Sequence, residues 1–264
     1  MTKQQICEEI ALGSERYLQL FKYSPNLIYI NRDIEFITAP PGNKGPFFVF
    51  RVNIDCENAE EKMDNYIAEI HNRNIPPLWI LTPSSTPENI DEIMLSKGFS
   101  DVTDWKKPEY GMALFTENLV SKTPPLIPDF EYLQVKTEEE LEAFMNIENT
   151  AGIGWNLLNL EEYSGWLKRN DISFYLACLN GSPVTTLAII NHGNCASIEF
   201  VSTLEKYRKH SVAYSLCVNV LNQLKQEGIE LVTLRSSYEG VNLYRKLGFV
   251  PYYIQRFLKY FTEA

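Results

Sequence analysis

The stretch Thr203-Leu204-Glu205-Lys206-Tyr207-Arg208-Lys209-His210-Ser211-Val212-Ala213 joins a strand-like run to the best-defined helix pattern of the chain. A helix start exposes unpaired N–H groups and carries partial positive charge, so small residues there let an anion approach the backbone. Ser211 and Ala213 are the small residues, and Arg208 and Lys209 add cationic charge at the same place. The chemistry on offer is the holding of a phosphate or diphosphate by backbone amides. A solvated basic helix start is the other reading of the same residues.

The elements around this junction follow from periodicity and turn residues. The helix runs from about Lys209 to Glu227, with Ala213, Leu216, Cys217, Val220, Leu221 and Leu224 at steps of three and four and Gly228 as its left-handed stop. Ahead of it, Thr137 to Asn149 reads as an amphipathic helix with Thr137 and Glu140 as a capping box. A second helix covers Leu160 to Lys168. Ile172 to Leu179 and Val184 to Ile190 flank Asn180-Gly181-Ser182-Pro183, a hairpin signal, and Ala196 to Thr203 gives a third strand. After the long helix come a short apolar strand at Leu231 to Leu234, a helix from Glu239 to Leu247 stopped by Gly248, and a last strand opened by Phe249. A mixed sheet with helices on both faces satisfies this order.

Composition narrows the function classes. The 264 residues are 45% hydrophobic and 22% charged, enough for one large or two small cores. A net charge of −10 disfavours a broad surface for nucleic acid or anionic lipid. Five cysteines without a Cys-x-x-Cys pair or metal spacing read as reduced thiols of a cytoplasmic protein, and no run is long and apolar enough to cross a membrane. Gly-x-Ser-x-Gly, His-Glu-x-x-His and nucleotide P-loop patterns are absent. Pro124, Pro125 and Pro128 mark a connector, giving domains at 1–120 and 130–264 around a linker at 121–129.

Arg208-Lys209-His210-Ser211-Val212-Ala213 resembles the phosphate-loop pattern of the GNAT superfamily of acetyl-CoA-dependent N-acetyltransferases, with Ser211 in place of the first glycine. About thirty residues on, Ser236-Ser237-Tyr238-Glu239-Gly240-Val241-Asn242-Leu243-Tyr244-Arg245-Lys246-Leu247-Gly248-Phe249 resembles the family's later motif. The resemblance covers roughly Phe130 to Phe257. It implies an α/β chain with the GNAT acyl-CoA N-acyltransferase fold, a mixed twisted sheet with helices on both faces. It also implies acetyl-CoA as co-substrate, no metal, and direct transfer of acetyl to a primary amine of a small molecule or peptide.

Carried over residue by residue, the pantetheine arm lies along Val201, Ser202 and Thr203. The diphosphate meets the amides of Arg208, Lys209, His210, Ser211, Val212, Ala213 and Tyr214. Tyr244 matches the family's general acid, and its phenol stays protonated at neutral pH. Glu199, in the strand beside the cleft, is the candidate base. Ser237 stands where the family often has a cofactor-contacting asparagine, and Asn242 is a further contact of that kind. The glycine-flanked Thr150-Ala151-Gly152-Ile153-Gly154-Trp155-Asn156-Leu157 occupies the segment that selects substrate in the family, without identifying one. Acceptor identity and oligomeric state stay open.

The first half repeats part of the order. Leu78 to Leu81 is strand-like, Glu88 to Ser96 helical, Lys97-Gly98-Phe99 echoes Leu247-Gly248-Phe249, and Gly111 to Phe115 returns to a strand. This resembles a degenerate copy of the same fold. Its own junction runs from strand Phe47 to Ile54 into a helix near Glu60, and Asp55, Glu57, Glu60 and Glu61 there would repel a diphosphate. A structural role is expected for it. The alternatives to catalysis are a non-catalytic acyl-CoA-binding module and an aminoacyl-tRNA-dependent transferase, which also pairs two such folds but which the acidic charge disfavours.

Overall fold

The computed structural model describes residues 1–23, 27–39, 48–119, 123–152 and 160–262. In chain order its elements are α1 (Lys3–Gln19), β1 (Ile28–Asn31), β2 (Ile34–Thr38), β3 (Phe48–Val52), α2 (Ala59–His71), β4 (Leu78–Leu81), α3 (Ile90–Ser96), β5 (Phe99–Asp101) and β6 (Tyr110–Phe115). Then follow β7 (Phe130–Gln134), α4 (Glu138–Ala151), α5 (Leu160–Tyr163), β8 (Ile172–Leu179), β9 (Ser182–His192) and β10 (Cys195–Glu199). The chain ends with α6 (Val212–Gln226), β11 (Leu231–Ser236), α7 (Val241–Leu247), β12 (Val250–Ile254) and β13 (Arg256–Tyr260). Packing divides it into two units, Met1–Gly111 with Tyr252–Ala264, and Met112–Pro251.

The first unit holds a six-stranded sheet in the order β1-β2-β3-β4-β13-β5. Its core gathers Ile34, Val49, Met63, Trp79, Met94 and Leu258, so the last strand of the chain is buried among residues from the first hundred. Arg256 fixes that strand from its edge: its guanidinium pairs with Asp91 and, at 3.1 Å, with Asp101. Proline content marks where a helix cannot continue and says nothing of where a later strand finds partners. The division at 111/112 therefore lies ahead of the proline-rich segment, of which 123–127 are coil and 121–122 fall outside the described residues.

The seven-stranded sheet has the order β12-β6-β11-β10-β9-β8-β7. The hairpin β8–β9 turns at Asn180 and Gly181, both with positive φ (49° and 72°), as an Asn-Gly turn of the primed kind requires. Val184 to Ile190 is buried at every position, as in a strand covered on both faces, and α4 and α6 both pack on β8 and β9. Thr137 caps α4 with Glu140 reaching back, the reciprocal box expected from sequence. The expected helix at 160–168 is one α turn followed by a 3-10 turn over Ser164–Lys168.

Two boundaries differ from expectation, and both fall at the junction of interest. The third strand ends at Glu199 instead of running through Thr203, because Phe200 takes φ 54°. The long helix starts at Val212 instead of Lys209, because Lys209 (φ 65°) and Ser211 (φ 64°) are left-handed.

Candidate active site

Strands β10 and β11 run parallel and in register from Cys195 opposite Leu231 to Ile198 opposite Leu234. Beyond Phe200 the chain keeps its antiparallel partner on one edge and, among the described residues, pairs with no strand on the other. Thr186 N–H donates to the Ser202 carbonyl at 2.9 Å, and Leu204 N–H to the Val184 carbonyl at 3.0 Å, bracketing a bridge between Thr185 and Thr203. Bonds that flank a pair leave that pair's own backbone groups pointing outward. Thr203 thus turns its N–H and C=O groups away from β9, and alternation along an extended chain turns those of Val201 the same way. An extended arm carrying amide groups would pair there as a strand pairs.

The start of α6 is the second half of this cleft. No side chain caps it, its first turn holds no acidic residue, and its first intrahelical bond runs from Ser215 N–H to the Ser211 carbonyl at 2.9 Å. The amides of Val212, Ala213 and Tyr214 belong to the turn that has no intrahelical acceptor. Left-handed Ser211 followed by helical Val212 makes the concave run of N–H groups that receives anions.

Arg208 sits at the mouth of this loop, with Nε on the Thr203 carbonyl at 2.9 Å and Nη2 on the Ala151 carbonyl at 3.0 Å. It therefore ties strand, loop and the end of α4 together, and its charge stays near the loop. Lys209 and His210 are exposed, so their cationic and polar ends reach an approaching anion from solvent. The residues present fit the diphosphate and pantetheine of coenzyme A.

Tyr244, on α7, is buried, with its ring edge-on to Phe249 at 5.8 Å. Burial pushes its phenol well above its ordinary range, helped by the Cys217 thiol and the carboxylates of Glu199 and Glu148. The acid and base candidates named from sequence therefore feel each other's charge, though they stand 45 positions apart in the chain. Glu199 has Oε1 sealed from solvent without a hydrogen-bond partner among the described residues. Desolvation lifts its carboxyl to about 7, opposed only by the charge of Arg235 on the next strand.

Ser237 is engaged locally, where its Oγ accepts the Gly240 N–H at 3.2 Å at the entry to α7. Asn242 is exposed on the first turn of that helix. Of the segment expected to select substrate, 153–157 lie outside the described residues.

Sequence reasoning missed Glu148. Near the end of α4 it is buried, with its carboxylate accepting from the Thr186 hydroxyl and, at 3.1 Å, from the Ser202 hydroxyl. Desolvation outweighs those two bonds and raises its pKa. In the sequence it is one of five glutamates between 138 and 148, and nothing local distinguishes it.

Residues 139–249 match the family model described as Acetyltransferase (GNAT) family. No curated protein sequence matches the chain. Among solved structures, a GCN5-related N-acetyltransferase from Kribbella flavida superposes with TM-score 0.68 at 16% identity, over 96% of each chain. A GCN5-related N-acetyltransferase from Sphaerobacter thermophilus gives 0.61 at 14% identity, over 96% of this chain and 88% of that one. A tandem GNAT protein from the clavulanic acid biosynthesis pathway gives 0.63 at 12% identity, over 88% and 79%. Residues 139–249 are thus a GNAT-family domain, and the whole chain shares its fold with solved GNAT proteins, a tandem one among them.

Proposed function

We propose that the protein is a cytoplasmic N-acetyltransferase that moves acetyl from acetyl-CoA directly to a primary amine of a small molecule or peptide, and that the second unit carries the chemistry. The observation that carries this reading is the unpaired strand edge past Phe200 beside the uncapped, acid-free start of α6, with Glu199 and Tyr244 within electrostatic range of each other. When bound, acetyl-CoA supplies an activated acyl carbon and a thiolate leaving group. Val201 aligns the arm through its outward backbone groups and Thr203 through its N–H, its carbonyl being held by Arg208, and the amides from Arg208 to Tyr214 hold the diphosphate.

Glu199, through its unpartnered oxygen, takes the proton of the acceptor ammonium, directly or across one water, so that the amine lone pair is free to attack. A carboxyl poised at about 7 accepts a proton at neutral pH more readily than an ordinary glutamate, which is too weak a base. Tyr244 stays protonated because the buried phenolate is disfavoured, and it delivers its proton to the sulfur as the C–S bond breaks. The second proton of the amine nitrogen, released as the amide forms, would restore the phenol.

The test is thiol release across amino acids, polyamines, aminoglycosides and peptides, with Tyr244→Phe beside the wild type. Turnover should fall about a hundredfold or more in the variant while coenzyme A binding persists. Coenzyme binding with no turnover on any acceptor would favour the second reading, an acyl-CoA-binding module. The strained Ser211 and the locally engaged Ser237 hydroxyl are the observations that speak for it.

A further inference from the structure

The last turn of α4 touches both halves of the coenzyme cleft. Glu148 grips the Thr186 hydroxyl on β9 and the Ser202 hydroxyl on the segment just past Phe200, beside a direct bond between the Thr185 and Thr203 hydroxyls at 3.0 Å. Thr186 Oγ1 in turn accepts the Ser202 N–H at 3.1 Å, so the carboxylate, the two hydroxyls and the backbone of residue 202 form one connected network. One turn on, the Ala151 carbonyl receives Arg208 from the phosphate loop at 3.0 Å. Gly152 leaves room for this arrangement: a Cβ there would stand 2.6 Å from Glu148 Oε2 and 2.5 Å from the Glu148 carbonyl.

We propose that Glu148 is a positioning residue, which holds the segment Val201–Thr203 in the geometry that presents its outward N–H groups to the arm of the coenzyme. The assignment rests on the acetyltransferase reading for its consequence and on the hydrogen-bond network for its existence. Phe200 breaks the regular strand, and among the described residues no strand supports 201–203 from the other edge. A carboxylate that accepts one hydroxyl from β9 and one from this segment adds a buried constraint to the Thr185–Thr203 and Arg208–Thr203 bonds, and a buried hydrogen bond to a charged group is among the stronger ones.

Glu148→Ala should weaken coenzyme A binding about tenfold, read by calorimetric titration, and should raise KM for acetyl-CoA by more than it lowers kcat. The Ser202 and Leu204 amides should exchange with deuterium faster than in the wild type. Glu148→Gln, whose amide still bonds both hydroxyls, should restore binding to within about threefold. Should the alanine variant not fold, Ser202→Ala removes one of the two hydroxyls and is read the same way, with a smaller loss. Wild-type binding and exchange in Glu148→Ala overturns the assignment. So does Glu148→Gln losing kcat as severely as Glu148→Ala, which would make the carboxylate a proton acceptor instead. If the wild type itself binds no coenzyme A, the acetyltransferase reading fails, and the exchange rates still decide the role of Glu148.

Discussion

The chain makes the same strand-to-helix turn twice, at β3 into α2 and at β10 into α6, and the two turns differ in what fills them. In the first unit β3 pairs in parallel with β4 only at Phe48 and Val49 before the two part. The gap beyond is occupied by the chain itself: Thr86 N–H donates to the Val52 carbonyl at 3.0 Å and Ile54 N–H to the Thr86 carbonyl at 3.1 Å. The Thr86 hydroxyl adds a bond to Asn53 at 2.8 Å. In the second unit the corresponding edge of Val201 and Thr203 has no such segment among the described residues.

The helix starts differ in charge as well. Asp55 accepts the Glu57 N–H at 3.1 Å, and Glu60 and Glu61 occupy the first turn of α2. A hollow of about 450 Å³ is present there, lined by Cys56, Glu57, Glu60 and Glu61 among others. Space is therefore not what separates the two turns. A coenzyme cleft needs an unpaired strand edge and an acid-free helix start together; α6 has both, while α2, though equally uncapped, has an occupied edge and acids in its first turn.

The largest effect expected from this contrast is on turnover. Glu199→Gln removes the proposed base from the unit with an open strand edge, so kcat should fall about a hundredfold or more, with nothing left over from the first unit. In the wild type kcat/KM should rise with pH through about 7 as Glu199 ionises, and the variant should lack that limb. Stability should move the other way. Because folding raises this carboxyl from its ordinary 4.5 to about 7, the native protein binds more protons than the unfolded chain between those values and loses stability as pH rises across them. The loss is at most about 3 kcal/mol and should be reduced in the glutamine variant, as read by denaturant midpoints at about pH 5 and pH 8. A residual activity with an unshifted profile would place the base elsewhere.

A smaller effect follows from making α6 resemble α2. Ala213→Asp puts a carboxylate in the acid-free first turn, where it should stabilise the helix by about 0.5 kcal/mol and weaken coenzyme A binding at least about tenfold. Opposite signs in melting temperature and affinity are the signature. If both fall together, the variant has merely damaged the helix, and charge is not what distinguishes the two turns.

Much of the second unit was legible because its signals are local. Thr137 with Glu140, Asn180-Gly181 and the stops at Gly228 and Gly248 each act within four residues of the element they end or begin. Tyr244 and Ser211 stood out through their places in two short motifs. What stayed hidden depends on distant partners. The placement of β13 needs Arg256 to find Asp91, 165 positions away. Glu148 becomes special only through Thr186 on β9 and Ser202 past the end of β10, 38 and 54 positions later. Phe200 carries no residue preference for positive φ, so the left-handed residue that ends β10 has no sequence sign, whereas the helix over Lys3–Gln19, boxed by Thr2 and Gln5, carries a local signal that sequence reasoning missed.

The smallest effect is also the most specific to the backbone. Ser211 holds φ 64° and ψ 10°, a conformation that costs an L-residue about 1 kcal/mol or more and glycine almost nothing. Ser211→Gly should therefore raise stability by up to about 1 kcal/mol, the glycine's extra freedom in the unfolded chain offsetting part of the relief. Asn58, at the same place before α2, has φ −131° and makes no capping bond. Asn58→Gly has no strain to relieve and should lose a few tenths of a kcal/mol. A gain at 211 beside a loss at 58, measured as denaturation midpoints, would tie the left-handed turn to the second unit alone. Coenzyme A affinity in Ser211→Gly should stay within about threefold of wild type if the loop already holds its binding conformation, since strain common to free and bound states cancels.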